Sequence, residues 1–388
     1  MKIIHTGDWH IGKLVHGIHM TEDQKYILKQ LISLVEQEKP DVLIIAGDIY
    51  DRSVPPVDAV DLLDETLSEI IMKLNTKVIL IAGNHDSPDR VGFANKMLRD
   101  KGLYISGNLT ESIEPIVIID EFGPVSFYPI PFAEPALVKE VLGEESINNH
   151  DSSMKEIMDR INEKIDYNSR NICIAHGYII GMESLMLSDS ERPLSIGGSE
   201  FVSVEYFNSF DYVALGHLHG PQRVKADHIR YSGSLLKYSF SEANQKKSIV
   251  LINMDVEGKV DIELKELQPV RDMRVIKGKL EDLLNKEVYM GTNTDDYIMA
   301  TITDRGEIID AISKLRAVYP NILRMEKEQF DREAGKNQTS ASSEFAKKSP
   351  LELFSEFYEN VSGEKFTEEK KFIIKAIFDE TIQKGRIS

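Results

Sequence analysis

The sequence predicts a layered α/β core followed by a smaller α+β unit and a helical segment. Two features predict the core. Short continuous apolar runs alternate with stretches whose apolar residues recur at helical spacing, the patterns of fully buried strands and of amphipathic helices. Five of the apolar runs also end in glycine together with Asp, Asn or His, and α/β sheets gather ligands outside the carboxyl ends of their strands.

In chain order, Lys2 to Thr6 reads as a strand, and residues 24–38 as a helix carrying Ile27, Leu28, Leu31, Leu34 and Val35. Val42 to Ala46 is the second strand. After Pro55-Pro56, the residues Val60, Leu63, Leu67, Ile70, Ile71 and Leu74 form a helical stripe, and Val78 to Ala82 is the third strand. Strand, helix, strand, helix, strand implies a largely parallel sheet. Residues 134–170 read as a helical excursion with a polar loop near Gly143 to Ser152. Two buried strands follow, Ile172 to Ala175 and Tyr212 to Leu215, and Ser248 to Asn253 with Val260 to Leu267 reads as a closing hairpin. The texture changes near Pro269. Residues 272–328 read β-α-β-α-β, and residues 331–348 are polar, the composition of a linker. Ser349-Pro350-Leu351-Glu352 combines a capping box with proline at the first helical position. Two amphipathic helices follow, carrying Leu353, Phe354, Phe357 and Val361, then Phe372, Ile373, Ile377, Phe378 and Ile382. The expected division is 1–268, 269–330, a linker at 331–348, and a helical segment at 349–388 that must dock on something.

With 388 residues, 41% hydrophobic and 28% charged, the composition excludes a wholly disordered or collagen-like chain. No apolar run reaches the roughly 18–20 residues of a membrane helix, and the first residues turn polar too early for a signal peptide. The single cysteine, Cys173, fits a reducing cytoplasm and reads as a small buried apolar residue. Lys and Arg number 46 against 64 Asp and Glu, a formal net charge of −18. A protein gripping nucleic acid over its whole surface would be basic. Acids gathered around bound cations account for part of the excess, and the rest implies that a partner does much of any such holding.

The five strand ends are Gly7-Asp8-Trp9-His10, Gly47-Asp48, Gly83-Asn84-His85-Asp86, His176-Gly177 and Gly216-His217-Leu218-His219. Seven residues stand out as ligands: Asp8, His10, Asp48, Asn84, His176, His217 and His219. Seven is too many for one ion and suits two, with the Asp48 carboxylate as the natural bridge. Extended Asp-Trp-His and His-Leu-His segments would present their first and third side chains on one face. Oxygen and imidazole ligands without thiolate favour Mn²⁺, Fe or Zn²⁺ over Ca²⁺. Such a pair suits phosphoester hydrolysis, in which a general acid must protonate the leaving alkoxide. His85 stands beside Asn84 for that role, with Asp86 or Asp51 to orient its ring and keep it cationic. A lone Asp-X-His or Gly-Asp carries little weight; five such clusters, each after an apolar strand, carry much. His5, His16, His19, His150 and His228 are read as non-ligands, His5 packing within its strand and His150 lying in a polar loop. Trp9 is read as packing beside the site, with a surface for a base as the alternative.

These clusters resemble the calcineurin-like metallophosphoesterase superfamily. Within it, Asp8-Trp9-His10-Ile11-Gly12 and Gly83-Asn84-His85-Asp86-Ser87-Pro88 look like the nuclease branch of SbcD and Mre11. The resemblance implies a β-sandwich flanked by helices, a DNA-capping role for the β-α-β-α-β unit, and an ATPase-binding role for the C-terminal helices. It implies one metal on Asp8, His10, Asp48 and His219, a second on Asp48, Asn84, His176 and His217, and His85 acting at the scissile phosphate or leaving group. Asp48-Ile49-Tyr50-Asp51-Arg52 instead resembles the phosphoprotein-phosphatase pattern, whose later Asp pairs with the catalytic His.

The family further implies Mn²⁺-dependent DNA cleavage, as a 3′→5′ exonuclease on duplex ends and an endonuclease on single strands and hairpins. Its setting is DNA repair, replication and recombination, in the cytoplasm at the nucleoid. The working form implied is two nuclease subunits with two SbcC/Rad50-type ATPases. Val57 to Leu74 and the segment near Phe93 to Leu98 are candidates for the homodimer surface, with ordinary core packing as the alternative. The alternative expectation, prompted by the acidic charge and Asp51-Arg52, is a phosphatase or phosphodiesterase for small nucleotides or phosphoproteins.

Overall fold

Continuous apolar runs need cover on both faces, and here they get it by packing two six-stranded sheets face to face between layers of helix. The computed structural model describes residues 1–181, 185–194, 200–304 and 308–328, with 351, 354, 355, 358, 365–367, 370, 371, 374 and 375. They fall into two units, Met1–Glu328 and Gln329–Ser388.

The first sheet runs, edge to edge, Val260–Glu266, Ser248–Met254, Lys2–Thr6, Val42–Ala46, Lys77–Ile81 and Leu103–Ser106. The last four are parallel, and the C-terminal hairpin closes the sheet by pairing antiparallel to Lys2–Thr6. The second sheet runs Gln222–Val224, Ala226–Tyr231, Tyr212–Gly216, Arg170–His176, Gly123–Ile130 and Ile116–Asp120. Ile3, Val42, Ile44 and Ile79 share the inner core with Phe127, Ile172, Ile174 and Ala214. The alternate residues Ile4, Leu43, Ile45 and Val78 meet Ile27, Leu28 and Leu31 of the helix Thr21–Glu38. On the other side Cys173, Val213 and Leu215 meet Ile157, Met158 and Ile161 of the helix His150–Asn162. His5 lies on the inner face, its ring within 2.9 Å of Tyr212 Oη and 3.2 Å of the Leu215 carbonyl.

Parallel register brings the strand ends level: Ala46 pairs with Ile81, and Gly216 with His176. Two glycines permit the crowding there. A Cβ on Gly216 would overlap the Ala46 carbonyl, and one on Gly47, at φ +88°, would overlap the His176 imidazole.

Several expectations need correction. Leu103–Ser106, Ile116–Asp120, Gly123–Ile130, Gln222–Val224 and Ala226–Tyr231 are strands the apolar runs did not reveal. The helix after Pro56 ends at Ser68 and continues as a single π turn, Glu69–Lys73. Its core face is Ala59, Leu62, Thr66 and Leu67, with Ile70 beyond, while Val60 of the expected stripe is exposed. The polar loop ends at Asn149, whose side chain accepts from the Ser152 N–H in a capping box. His150 therefore begins a helix and is buried.

The expected β-α-β-α-β unit is present as three parallel strands, Met273–Gly278, Tyr297–Ile302 and Ile322–Lys327, with its own core around Ile298, Ala300 and Leu315. It is fastened to the sandwich by Asp23, buried in the first helix. Arg271 grips both oxygens of that carboxylate (3.0 and 2.6 Å), and the Tyr297 hydroxyl donates to one of them (2.8 Å). In the second unit Leu351, Phe354, Tyr358, Lys370 and Ile374 are helical, and Phe366 is buried with its ring against Phe354 and Tyr358. The expected linker 331–348 and most of the expected tail stripe lie outside the described residues. Among the described residues no helix is long and apolar enough to cross a membrane.

The second sheet is pinned at its far edge by a buried ion pair, with Arg170 donating to both oxygens of Asp120 (2.8 and 2.6 Å). The guanidinium holds the Asp120 carboxyl well below the usual carboxylate range. This depressed pKa contributes stability that is fully present above the ordinary Asp value near pH ~4 and is lost as pH falls through the folded value. Asp120→Asn leaves Arg170 without its charge partner and should cost about 3–5 kcal/mol in denaturant unfolding at pH 7; a loss under about 1 kcal/mol would contradict the assignment.

Candidate metal centre

The five polar clusters converge at the shared edge of the two sheets. Asp8, His10, Asp48, His176, His217 and His219 are all buried. Ligand atoms of Asp8, His10 and His219 lie within 4.8 Å of one another, as do those of Asp8, Asp48 and His176. Asn84 joins the second group, its Oδ1 lying 2.9 Å from His176 Nε2 and 3.3 Å from His217 Nδ1. Asp48 lies between the groups. Its Oδ1 accepts the His85 N–H (2.9 Å), while Oδ2 is 3.6 Å from His10 Nε2 and 3.5 Å from His176 Nε2. That oxygen thus faces one imidazole of each group.

Asp8 and His10 share a face by a different route from the expected extended segment. Asp8, His10 and Asp48 adopt left-handed backbone, at φ 53°, 46° and 49°, and His217 sits at 110°. Such conformations cost of order 1–3 kcal/mol each and persist only where surroundings over-determine them. Gln24 supplies that constraint for the first turn, donating to the His10 carbonyl (2.7 Å) and accepting from the Gly12 N–H (3.0 Å). Trp9 is fully buried, its indole N–H on Thr6 Oγ1, which makes it packing.

His85 packs edge-on to His10, with ring centroids 4.7 Å apart, and its Nδ1 lies 2.8 Å from the Asp51 main-chain oxygen. The orienting acceptor is thus a carbonyl, which corrects the expectation that an Asp51 or Asp86 carboxylate holds the ring. Asp51 Oδ1 instead receives Lys13 (2.7 Å) and lies 3.8 Å from His10 Nδ1. The Asp86 carboxylate accepts the N–H groups of Ile49, Tyr50 and Gly83 at 2.9–3.0 Å, tying the Asp48 and Asn84 loops together. Adjacent residues point apart, so Asp86 serves the backbone while His85 faces the cleft.

Burial opposes charge throughout the site. It pushes the Asp8 carboxyl well above its usual range and pulls His10 well below and His219 below theirs, with His217 down to about 3. Burial is overcome at one pair: the Asp48 charge and hydrogen bond raise His176 to about 9, and His176 holds Asp48 well below the carboxylate range. Two buried atoms of the site have no hydrogen-bond partner, Asp8 Oδ2 and His10 Nδ1. Unpartnered buried polar atoms of this kind are costly, and here they sit among imidazole and carboxylate groups of the kind that bind divalent cations. The donor set fits such ions.

Sequence reasoning missed the residues behind the ligands. The His176 Nδ1–H donates to the Ala46 carbonyl (2.8 Å), which leaves Nε2 toward the cleft. Around His219 stand Ser190, Glu191, Glu242 and Lys247. No spacing in the sequence distinguishes Glu242 or Lys247 from surface charges.

Residues 1–221 match the calcineurin-like phosphoesterase family, and residues 269–362 match the type 5 capsule protein repressor C-terminal domain. The chain is 36% identical over 375 residues to the SbcD component of the SbcCD nuclease of Staphylococcus epidermidis, an alignment covering 97% of each chain. Among solved structures, a dimetal phosphatase from Danio rerio aligns with 69% of this chain and 96% of its own at 10% identity, with a TM-score of 0.41. A phosphopantetheinyl hydrolase from Mycobacterium tuberculosis aligns with 68% and 95% at 16% identity, with a TM-score of 0.37.

Ions that bind only the folded chain stabilise it, by about 2.7 kcal/mol at a hundred times Kd. Thermal melts should therefore shift upward with excess divalent cation. The shift should shrink as pH falls, because His176 holds a proton up to about pH 9 in the ion-free chain and protons compete with the ion. Asp48→Ala should abolish it; an unchanged shift in that variant would contradict the bridging role.

Proposed function

The chain belongs to the calcineurin-like phosphoesterase family and, within it, to the SbcD branch, and from this premise we propose that it hydrolyses DNA phosphodiesters at the centre formed by its strand ends. It is a metal-dependent hydrolase, the nuclease component of an SbcCD-type complex that acts on DNA with an SbcC partner. The observation that carries the site assignment is Asp48 Oδ2 standing 3.6 Å from His10 Nε2 and 3.5 Å from His176 Nε2.

In this reading Asp8, His10, Asp48 and His219 hold one ion, and Asp48, Asn84, His176 and His217 the other. Two divalent cations bound there would supply hydroxide near neutral pH and offset charge in the in-line transition state. The oxygen and imidazole donors favour Mn²⁺, Fe or Zn²⁺ over Ca²⁺, and the family resemblance points to Mn²⁺ among these. His85 is half-buried and reachable by substrate. With Nδ1–H committed to the Asp51 carbonyl, its Nε2 is the nitrogen available to carry a proton to the leaving sugar oxygen. Arg52, largely exposed beside Asp51, is placed to meet a phosphate. The substrates assigned are duplex ends, for 3′→5′ cutting, and single-stranded or hairpin DNA. Residues 269–330 are assigned to capping the DNA and residues 349–388 to the ATPase.

His85→Asn should lower cleavage by roughly a hundredfold or more while DNA binding, read by gel shift, is retained. Cleavage near the wild-type rate would remove His85 from the mechanism.

Two copies of the chain are proposed to dock through the helix Val57–Ser68, its π turn and the segment 93–98. Val57, Met72, Phe93 and Met97 are 76%, 71%, 79% and 78% exposed. Met72 and Phe93 line a cleft of about 330 Å³ together with Leu63, Leu67, Ile71 and Leu98. An apolar patch of this kind on a soluble chain marks an interaction surface. Light scattering should find a dimer in the wild type and a monomer in a Phe93→Glu, Met97→Glu variant that still binds metal. An unchanged mass would place the interface elsewhere.

A further inference from the structure

His219 is gripped on three sides by groups outside the ligand set. Its main-chain N–H donates to Glu191 Oε1 (2.8 Å), and its carbonyl accepts from Lys247 Nζ (2.7 Å). Its ring Nδ1 lies 2.6 Å from Ser190 Oγ and 3.3 Å from Glu242 Oε1. Glu242 is fully buried and paired with the equally sequestered Lys247 at 2.6 Å. Ser188, Ser239 and the Tyr238 N–H complete the shell of donors around that carboxylate.

The protons in this cluster have one consistent arrangement. An ionised carboxylate only accepts. The Ser190 hydroxyl has a single proton and gives it to Glu242 Oε1 at 2.5 Å, so its oxygen accepts from the imidazole. Whether directly or through Ser190, His219 Nδ1 must carry the hydrogen, and Nε2 is left bare. That bare nitrogen is 3.0 Å from His10 Nε2, so His10 must donate from Nε2 and keep a bare Nδ1.

We propose that Glu242, locked by Lys247, is a positioning residue that fixes the tautomer of His219 and thereby sets the affinity of the ion held by Asp8, His10 and His219. This rests on the metal-centre reading and goes beyond it, giving one of the two ions its own buried control element. The other ion has a separate one, since His176 is oriented by the Ala46 carbonyl. Lys247 acts twice, holding the carboxylate that orients the ring and the carbonyl of the same residue. Carboxylates that orient metal-bound histidines typically change metal affinity 10–100-fold when removed.

The test is calorimetric titration of the ion-free full-length protein with Mn²⁺, with NMR of the His219 ring nitrogens before any ion is added. Wild type should show two binding events and a bare Nε2. Glu242→Gln should weaken one event by about tenfold or more, leave the other unchanged, and release the ring into mixed tautomers. That variant strands a buried ammonium, so Glu242→Gln with Lys247→Met, which removes both charges, is titrated alongside and should show the same one-sided loss. Glu242→Asp, which keeps a carboxylate, should recover part of the affinity. Equal weakening of both events, or an unchanged tautomer and affinity in the double variant, overturns the proposal. Absence of both events in the wild type would overturn the metal centre itself, and this inference with it.

Discussion

Everything in this structure turns on burying carboxylates and imidazoles together where two sheets meet. Asp8, His10, Asp48, His176, His217 and His219 are each no more than 5% exposed. Desolvation drives Asp8 toward its protonated form and His10, His217 and His219 toward neutrality, and only Asp48 and His176 keep opposite charges against that pressure. Groups that would repel or strand one another without an ion become ligands once cations are present. Four of them are held in backbone conformations rare for non-glycine residues. A marginal fold could not sustain this; strands buried on both faces can.

Support for the centre is layered. Level strand ends bring the clusters together, and glycines 47 and 216 let the chains approach closely enough. Asp86 then ties the second and third loops into one body through three main-chain N–H groups, Gln24 clasps the first loop, and the Glu242–Lys247 pair clasps the fifth. Each is a buried polar side chain spent on backbone or on an imidazole. None needs to meet substrate.

The ligand ends were legible because two signals coincide there: an apolar run too continuous for a one-sided strand, and a Gly-Asp or His-X-His at its end. The strands Ile116–Asp120 and Gly123–Ile130 gave weaker signals, since Val117 and Ile119 point outward and a proline interrupts each end of the second. Helical spacing found the helix Val57–Ser68 but misplaced its face, because the small Ala59 and the polar Thr66 turn toward the core in place of Val60. Sequence adjacency misled at Asp86, next to His85 yet pointing the other way. Glu242 and Lys247 were invisible because nothing local separates a buried ion pair from a solvated one; their meaning arises only when the short turn Phe240–Glu242 and Lys247 pack against His219.

The acidic charge of −18 is consistent with a nuclease whose grip on DNA is shared with a partner protein. The most direct test of the whole account is anomalous diffraction from crystals soaked in Mn²⁺. The account predicts two peaks, one among Asp8, His10 and His219 and one among Asn84, His176 and His217, with Asp48 reaching both. A single peak, or none, at saturating manganese would contradict it.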